Sequence, residues 1–402
     1  MATTYAWSQK YPWINFAFDV TKLGYKVWVA LGECQSICTH IGNIPLSPEI
    51  RATMHQIYLA KGVLATTAIE GNTLSEDDVR MAIRGELTLP PSKEYLKQEV
   101  DNIIDVFNEI GVQIHDNRLP EITPPLMCTY NAQVLRHLTL DKDVEPGVFR
   151  KHSVVVGSYK GPPTGHVPEM VRLLCDHLRQ IDETPDQDQI VKAILKAIYA
   201  HLYVVWIHPF GDGNGRTARL LEAVILLQSG VPSPAAHLLS NFYNSTRTEY
   251  YRMLDRASKG MDWLGFVSYA IMGLRDELRD QRQHLMKHVW RVVWKNHIYE
   301  TFGEKQTDKA HRQRQLALDL AKQTKPVRLS EIKTLSPKLT EAYAGKRSMA
   351  TIRRDVAALV DMKLAESVKI ENQIAIQANI DLLTILLPIR NKGNERADHN
   401  RP

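Results

Sequence analysis

The chain has 402 residues, more than one ordinary hydrophobic core holds, so two or three domains are expected. Its composition is 44% hydrophobic, 24% charged and 7% aromatic, which excludes collagen-like and low-complexity classes and fits a soluble globular protein. A formal net charge of +5 permits contact with nucleic acid or acidic partners, and a solvated surface explains it equally well.

Cys34, Cys38, Cys128 and Cys175 show neither metal-ligand spacing nor a disulfide framework. Cys34 and Cys38 lie one helical turn apart, which reads as a buried face rather than a redox pair. The stretch Met1 to Lys10 lacks the basic and apolar blocks of a signal peptide. No apolar run reaches about 18 residues, so no membrane span is expected. A reducing cytoplasm fits these features.

Helical periodicity dominates. The opening, Tyr5-Ala-Trp-Ser-Gln and Tyr11-Pro-Trp, is aromatic and is expected to cap a helix. Residues 51 to 70 read as one helix ending at Glu70-Gly71-Asn72, with Gly71 supplying the left-handed position after the C-cap. Ser75 then caps the next helix, with Asp78 placed for a near capping box. Further amphipathic helices are expected over 95–112 and 119–140. Between Ser153 and Pro168 a β-branched run, Ser-Val-Val-Val, meets a turn, the strongest hairpin signal in the chain. Helices resume over 169–181 and 188–206, the second with apolar Ile190, Ile194, Ala197, Ile198 and Leu202, and another starts near Asn214. His201 reads as a core histidine rather than a ligand. Residues 280–325 are strongly charged and read as an exposed helical connector.

The stretch that carries chemistry is His208-Pro-Phe-Gly-Asp212-Gly213-Asn214-Gly215-Arg216-Thr-Ala-Arg219. Two glycines flanking an asparagine at a helix start let successive backbone N–H groups point at one anion, with the helix dipole behind them. Arg216 and Arg219 share one face of the first turns and can meet further phosphate oxygens with planar forks. Asp212 would repel phosphate unless a Mg²⁺ ion bridges the two. His208 then stands beside bound phosphates with a proton affinity suited to a general base near neutrality. Phe210 points the other way as an anchor. These residues describe attack by an external hydroxyl on phosphorus, with charge held by magnesium, arginine and backbone N–H groups.

This segment resembles the Fic signature, His-x-Phe-x-(Asp/Glu)-Gly-Asn-Gly-Arg-x-x-Arg, at every defined position, and the resemblance extends over about residues 50 to 275. It implies a mainly α fold: a Fic helical core with a β-hairpin flap, followed here by a small C-terminal winged-helix domain. It implies that His208 deprotonates the target hydroxyl and that Asp212 holds Mg²⁺ on the ATP phosphates. By the same resemblance Gly213, Asn214 and Gly215 form the anion hole, and Arg216 and Arg219 bind the phosphate tail. The hairpin at 153–168 looks like the family's flap, which aligns a target backbone by strand addition. Leu239 to Tyr243, with Tyr250 and Tyr251, looks like the nucleoside side; where family members carry Asn-Arg before the tyrosines, this chain reads Thr246-Arg247.

Thr66-Thr-Ala-Ile-Glu70-Gly71 resembles the family's inhibitory motif, (Ser/Thr)-x-x-x-Glu-(Gly/Asn), lying N-terminal to the core. A glutamate in a helix's last turn faces the negative dipole end, an unfavourable placement of about 0.3–1 kcal/mol, and such local violations often serve function. The implied partner is Arg219, which Glu70 would withhold from the γ-phosphate, with Thr66 capping or orienting the glutamate. Release would be a population shift needing several kcal/mol.

The implied activity is adenylyl transfer from ATP to a Ser, Thr or Tyr hydroxyl of a protein, with pyrophosphate released. Another donor, net removal of AMP, and a nucleotide-sensing DNA-binding regulator are the alternatives. The implied partners are ATP and a target protein docked on the flap; self-modification and a homodimer stay open, and no membrane is expected. The domains read as 1–50, an aromatic and helical segment; 51–112, the inhibitory helix and its helical neighbours; 113–280, the catalytic core; 281–325, the connector; 326–378, a winged helix-turn-helix; and 379–402, a polar tail. In the winged unit Ser348 to Leu359 would be the recognition helix and Val368 to Ile376 the wing. Arg353, Arg354, Lys346 and Arg347 could touch DNA phosphates, while Asp355 and Glu366 dilute the patch, and protein docking is an equal use of such a unit.

Overall fold

Helices carry nearly all the regular structure, and the only sheets among the described residues are small and antiparallel. The computed structural model describes residues 5–116, 118, 120–183, 188–305, 307–323, 325–344, 349–370 and 373–380. The chain divides into two units, Met1–Arg282 and Gln283–Pro402.

The first unit contains α1 (Tyr25–Gly42), α2 (Pro48–Ile69), α3 (Glu76–Ile83), α4 (Glu94–His115), α5 (Pro124–Val134), β1 (Val155–Val156) and β2 (Tyr159–Lys160). It continues with α6 (Val167–Glu183), α7 (Gln189–Ile207), α8 (Asn214–Gln228), α9 (Ser233–Ala236), α10 (Leu238–Ser245) and α11 (Arg247–Lys259). A long helix, α12 (Trp263–Phe302), runs across the boundary. The second unit adds α13 (Asp308–Leu320), β3 (Val327–Arg328), α14 (Pro337–Ala342), α15 (Met349–Asp361), β4 (Ala365–Ile370) and β5 (Gln373–Ala378).

The core of the first unit is built on α7 and α8. Ile194, Ile198, Leu202 and Val204 of α7 and Leu221, Val224 and Ile225 of α8 are fully buried, each apolar side chain contributing about 1.5–3 kcal/mol of transfer free energy. By length and composition α7 is long and apolar enough to cross a membrane, contrary to the expectation that no run was long enough. Its burial explains the apolarity instead: most of the helix is packed inside the protein, as a central helix requires.

Local sequence rules set the edges of the elements that matter. Ser47 caps α2 with Pro48 in the first turn, and the helix ends in a Schellman motif: Gly71 has φ of 103°, its N–H donates to Ala68, and the Asn72 N–H donates to Thr67. Ser75 and Asp78 form a reciprocal capping box at α3. The hairpin pairs Val155 with Lys160 and Val156 with Tyr159 around Gly157, which has φ of 58°. α5 is shorter than its sequence pattern suggested, because Thr123 and Pro124 start it late and the chain turns at His137, with φ of 60°.

The aromatic opening packs inward. Trp7, Tyr11 and Phe16 are buried, the Trp7 indole donates to the Ile14 carbonyl, and the Tyr11 hydroxyl donates to the Gly161 carbonyl at the foot of the hairpin.

The second unit corrects the reading of 280–325 as an exposed connector. Trp294, Ile298 and Phe302 recur at helical spacing on α12 and are buried with Leu316, Ala317 and Leu320 of α13. The charged residues between them occupy the other faces, which is why the stretch looks solvated by composition. The sheet order is β3-β5-β4, with Ala365 opposite Ala378 and Ile370 opposite Gln373. Asp355 does not dilute an exposed basic face: it is buried and accepts from Arg312, Gln313 and Tyr343. Arg353 and Arg354 are exposed on α15. Lys346, Arg347, Ser348, Glu371 and Asn372 of the expected wing, and 381–402 of the expected tail lie outside the described residues.

Candidate active site

The helix α7 ends in a sharp reversal at His208, which has φ of 48° and ψ of 61°, a left-handed conformation unusual for a side-chain-bearing residue. The following loop is fixed from inside. Phe210 is fully buried and bridges to Phe149, and the Asn214 side chain closes a two-way clasp, accepting from the Phe210 N–H and donating to the Phe210 carbonyl, both at 2.9 Å. Gly213, with φ of 74°, makes the turn into α8. Asn131 supports the loop from α5, donating to the Asp212 carbonyl at 2.9 Å and accepting from Gly147.

A cavity of about 530 Å³ opens over this loop. His208, Gly215 and Arg219 line one end together with Glu70, while Tyr250, Tyr251, Leu254, Asp255 and Ser258 of α11 line the rest. The hairpin forms another wall through Val156, Gly157, Ser158 and Tyr159. Its tip is tied to α11: the Ser158 hydroxyl donates to Asp255 at 3.3 Å and accepts from Lys259 at 2.9 Å. Its second strand is tied to α7, the Tyr159 hydroxyl donating to the Trp206 carbonyl at 2.6 Å.

Arg219 is 2% exposed; its Nη2 lies 2.5 Å from Glu70 Oε1 and 3.0 Å from the Thr66 carbonyl. Thr66 therefore reaches the site through its main chain, binding the arginine rather than capping the glutamate. Burial alone would raise the Glu70 carboxyl, but the Arg219 guanidinium, with Arg216 and His208 nearby, holds it below the usual range. Burial pushes His208 down to about 4, Arg150 adding to the fall and Glu70 and Asp212 opposing it. The ring is therefore neutral near pH 7. Its Nδ1 lies 3.3 Å from the Val205 carbonyl; donation there leaves Nε2 with the free lone pair.

Not every expected residue meets the cavity: of the loop, His208 and Gly215 line it, while Asp212, Gly213 and Asn214 do not. Arg216 turns away, held at 2.9 Å by Glu99 of α4 and at 3.1 Å by Asp212. Tyr250 and Tyr251 are in the wall, the Tyr251 hydroxyl donating to the Ile69 carbonyl at the end of α2. Tyr243, expected beside them, is instead wholly buried behind Tyr250, with its hydroxyl donating to Glu222 at 3.0 Å. His201 is buried in the same layer, its Nε2 2.9 Å from the Tyr250 hydroxyl. Burial raises Glu222 well above the carboxylate range and lowers His201 to about 3.

Sequence reading missed Arg150. It is 4% exposed and donates to the His208 carbonyl at 2.7 Å, the His152 carbonyl at 3.0 Å and the Pro162 carbonyl at 2.6 Å. One cation thus joins the turn at His208 to the foot of the hairpin.

Among the described residues no group of three or more His, Cys, Asp or Glu side chains forms a protein-only metal site. A magnesium ion does not need one: a single half-exposed carboxylate, Asp212, with substrate phosphates and water, suits its oxygen coordination.

The Fic/DOC family profile matches residues 121–226. The chain is similar to protein adenylyltransferase fic-1 of Caenorhabditis elegans, 30% identical over 223 residues covering 56% of this chain and 41% of that one. A second relative, protein adenylyltransferase Fic of Nematostella vectensis, is 28% identical, covering 54% and 47%. The chain thus spans less than half the length of these curated relatives. Among solved structures it resembles Fic-1 (residues 134–508) of C. elegans, with a TM-score of 0.54, 26% identity and coverage of 66% and 74%. It also shares the fold of a Fic family protein from Desulfovibrio desulfuricans G20, with a TM-score of 0.52, 21% identity and coverage of 90% and 97%. The signature loop and the helices that frame it thus lie in the part of the chain, residues 121–226, that is similar to the Fic/DOC family.

Proposed function

We propose that the chain is a protein adenylyltransferase that moves AMP from ATP to a Ser, Thr or Tyr hydroxyl of a protein, and that Glu70 restrains it. The observation that carries this reading is the single cavity shared by His208, Gly215, Arg219 and the Glu70 carboxylate. The names of the relatives, protein adenylyltransferases, support the donor chemistry.

In this reading neutral His208 accepts the proton of the target hydroxyl at Nε2. The hydroxyl oxygen bonds to the α-phosphorus, the bond to the β-phosphate oxygen breaks, and pyrophosphate leaves. The Gly213–Gly215 backbone N–H groups at the start of α8 receive phosphate oxygens, favoured by the helix dipole. Asp212 is the residue to hold Mg²⁺, which when bound neutralises phosphate charge. Arg219 grips the outer phosphates once Glu70 releases it, and Arg216 joins them by turning from Glu99. Tyr250, Tyr251 and the hairpin enclose the nucleoside and present the target backbone. The exposed Arg353 and Arg354 support a docking role for the second unit, toward nucleic acid or protein.

Parallel incubation of the Glu70→Gly protein and a lysate with α-labelled ATP, γ-labelled ATP and α-labelled UTP tests the donor. Label on protein from α-labelled ATP alone supports adenylyl transfer; transfer of only the γ-label means a kinase. A pre-adenylylated protein that loses AMP more slowly than it gains it excludes net removal.

A further inference from the structure

Glu99 of α4 spends its two carboxylate oxygens on different parts of the site. Oε1 accepts from Arg216 Nη1 at 2.9 Å, and Oε2 accepts from the Asn72 side-chain amide, also at 2.9 Å. Asn72 is the second residue after Glu70 and is 7% exposed. Its amide also donates to the Leu96 carbonyl at 2.9 Å, its side-chain oxygen accepts from the Leu74 N–H at 3.0 Å, and its own N–H closes the Schellman motif on Thr67. The position of Glu70 at the end of α2 is therefore set by a turn whose anchor, Asn72, is held by Glu99 together with Leu96, Leu74 and Thr67.

Both signature arginines are thus held by carboxylates: Arg219 by Glu70 and Arg216 by Glu99. The short turn Glu70-Gly71-Asn72 links the two pairs. We propose that Glu99 is a positioning residue that clasps this turn to Arg216, so that phosphate binding at Arg216 loosens the end of the restraining helix. The proposal rests on Glu70 being the restraint. A planar guanidinium drawn to phosphate oxygens leaves its carboxylate partner without a cation in a mostly enclosed place. Glu99 then faces anionic phosphate, is pushed from its place, and gives up the Asn72 amide. Local opening of the turn becomes easier, and Glu70 leaves Arg219 more often. The coupling is reciprocal: a loosened turn frees Arg216 and strengthens phosphate binding.

Hydrogen exchange of the backbone amides over residues 70–74 tests this without any transfer reaction. Glu99→Gln is the first variant, because glutamine keeps one acceptor and presents a donor to the second partner. Asn72→Ala is the second; it removes the clasp and keeps the Glu99–Arg216 pair. Both are expected to speed exchange over 70–74, Glu99→Gln by about tenfold, the size of one lost hydrogen bond to a charged group, and Asn72→Ala by more, since it also loses the bonds to Leu96 and Leu74. A non-hydrolysable ATP analogue is expected to speed it in wild type and to add nothing in Glu99→Gln. Labelling from α-labelled ATP should rise in Glu99→Gln, with no further rise when the change is added to Glu70→Gly. Wild-type exchange in Glu99→Gln, or fast exchange in Asn72→Ala alone, overturns the proposal, since Leu96 would then hold the turn. Equal gains in labelling on both backgrounds also overturn it, because Glu99 would be acting on Arg216 only. Failure of Glu70→Gly to label would sink the transferase reading and leave the exchange result standing.

Discussion

Glu70 Oε1 sits 2.5 Å from Arg219 Nη2, an ion pair whose arginine is enclosed while about a third of the glutamate side chain, 32%, is open to solvent. The asymmetry matters. The carboxylate can leave into solvent, but the guanidinium it leaves behind needs another anion.

Glu70→Gln should therefore lower the stability of the nucleotide-free protein by about 1.5–3 kcal/mol, the worth of a hydrogen bond between charged groups. ATP should restore more stability to the variant than to wild type, since phosphate replaces the lost carboxylate. Thermal melting with and without ATP checks both signs. Equal stabilisation by ATP would mean that Glu70 and nucleotide do not compete for Arg219.

His208 should titrate near about 4 in the nucleotide-free protein, and Glu70→Gln should lower it further, because the Glu70 carboxylate is one of the charges that raise it. Histidine NMR across pH 3–8 reads this directly. The same depression has a stability consequence shared by His201, at about 3, and His237, at about 4, each buried. Their folded values lie below the ordinary 6.5, so the unfolded chain binds these protons more readily. Each then costs about 1.4 kcal/mol per pH unit as pH falls from 6.5 toward its folded value. Replacing His237 with glutamine should flatten the acid limb of a melting series.

Arg150→Ala strips donors from the His208, His152 and Pro162 carbonyls at once. A loss of roughly 3–5 kcal/mol is expected for the buried network. Arg150→Lys, which reaches one or two of those carbonyls, should recover much of the melting temperature but little of kcat, since the turn at His208 and the foot of the hairpin would no longer share one rigid fork. Lysine restoring kcat in full would show that Arg150 contributes charge rather than geometry.

The signature loop was readable in the sequence because its glycines at a helix start and its arginines one helical turn apart are local patterns, whereas the clasp of Asn214 on Phe210 came only from the structure. Gly71 and the Ser75–Asp78 capping box were readable for the same reason. Arg150, Glu99 and Asn131 were not, since their partners lie far along the chain and nothing in their flanking residues marks them. Tyr243 and Tyr250 look alike in sequence; only the packing of α10 behind α11 sends one into the core and the other to the cavity wall. The segment 280–325 misled through its charge, because a helix with one apolar stripe buries Trp294 and Ile298 whatever its other faces carry.

The most direct test of the account compares wild type, Glu70→Gly and Glu70→Gly/His208→Ala, each incubated with Mg²⁺ and α-labelled ATP, scoring label on the chain itself and on lysate proteins. Strong label with Glu70→Gly, weak label with wild type, and a loss of roughly 10²–10⁴-fold when His208 is also removed would support restraint, base and donor together. No label from any of the three, with ATP still bound by Glu70→Gly, would contradict adenylyl transfer as the reaction of this site.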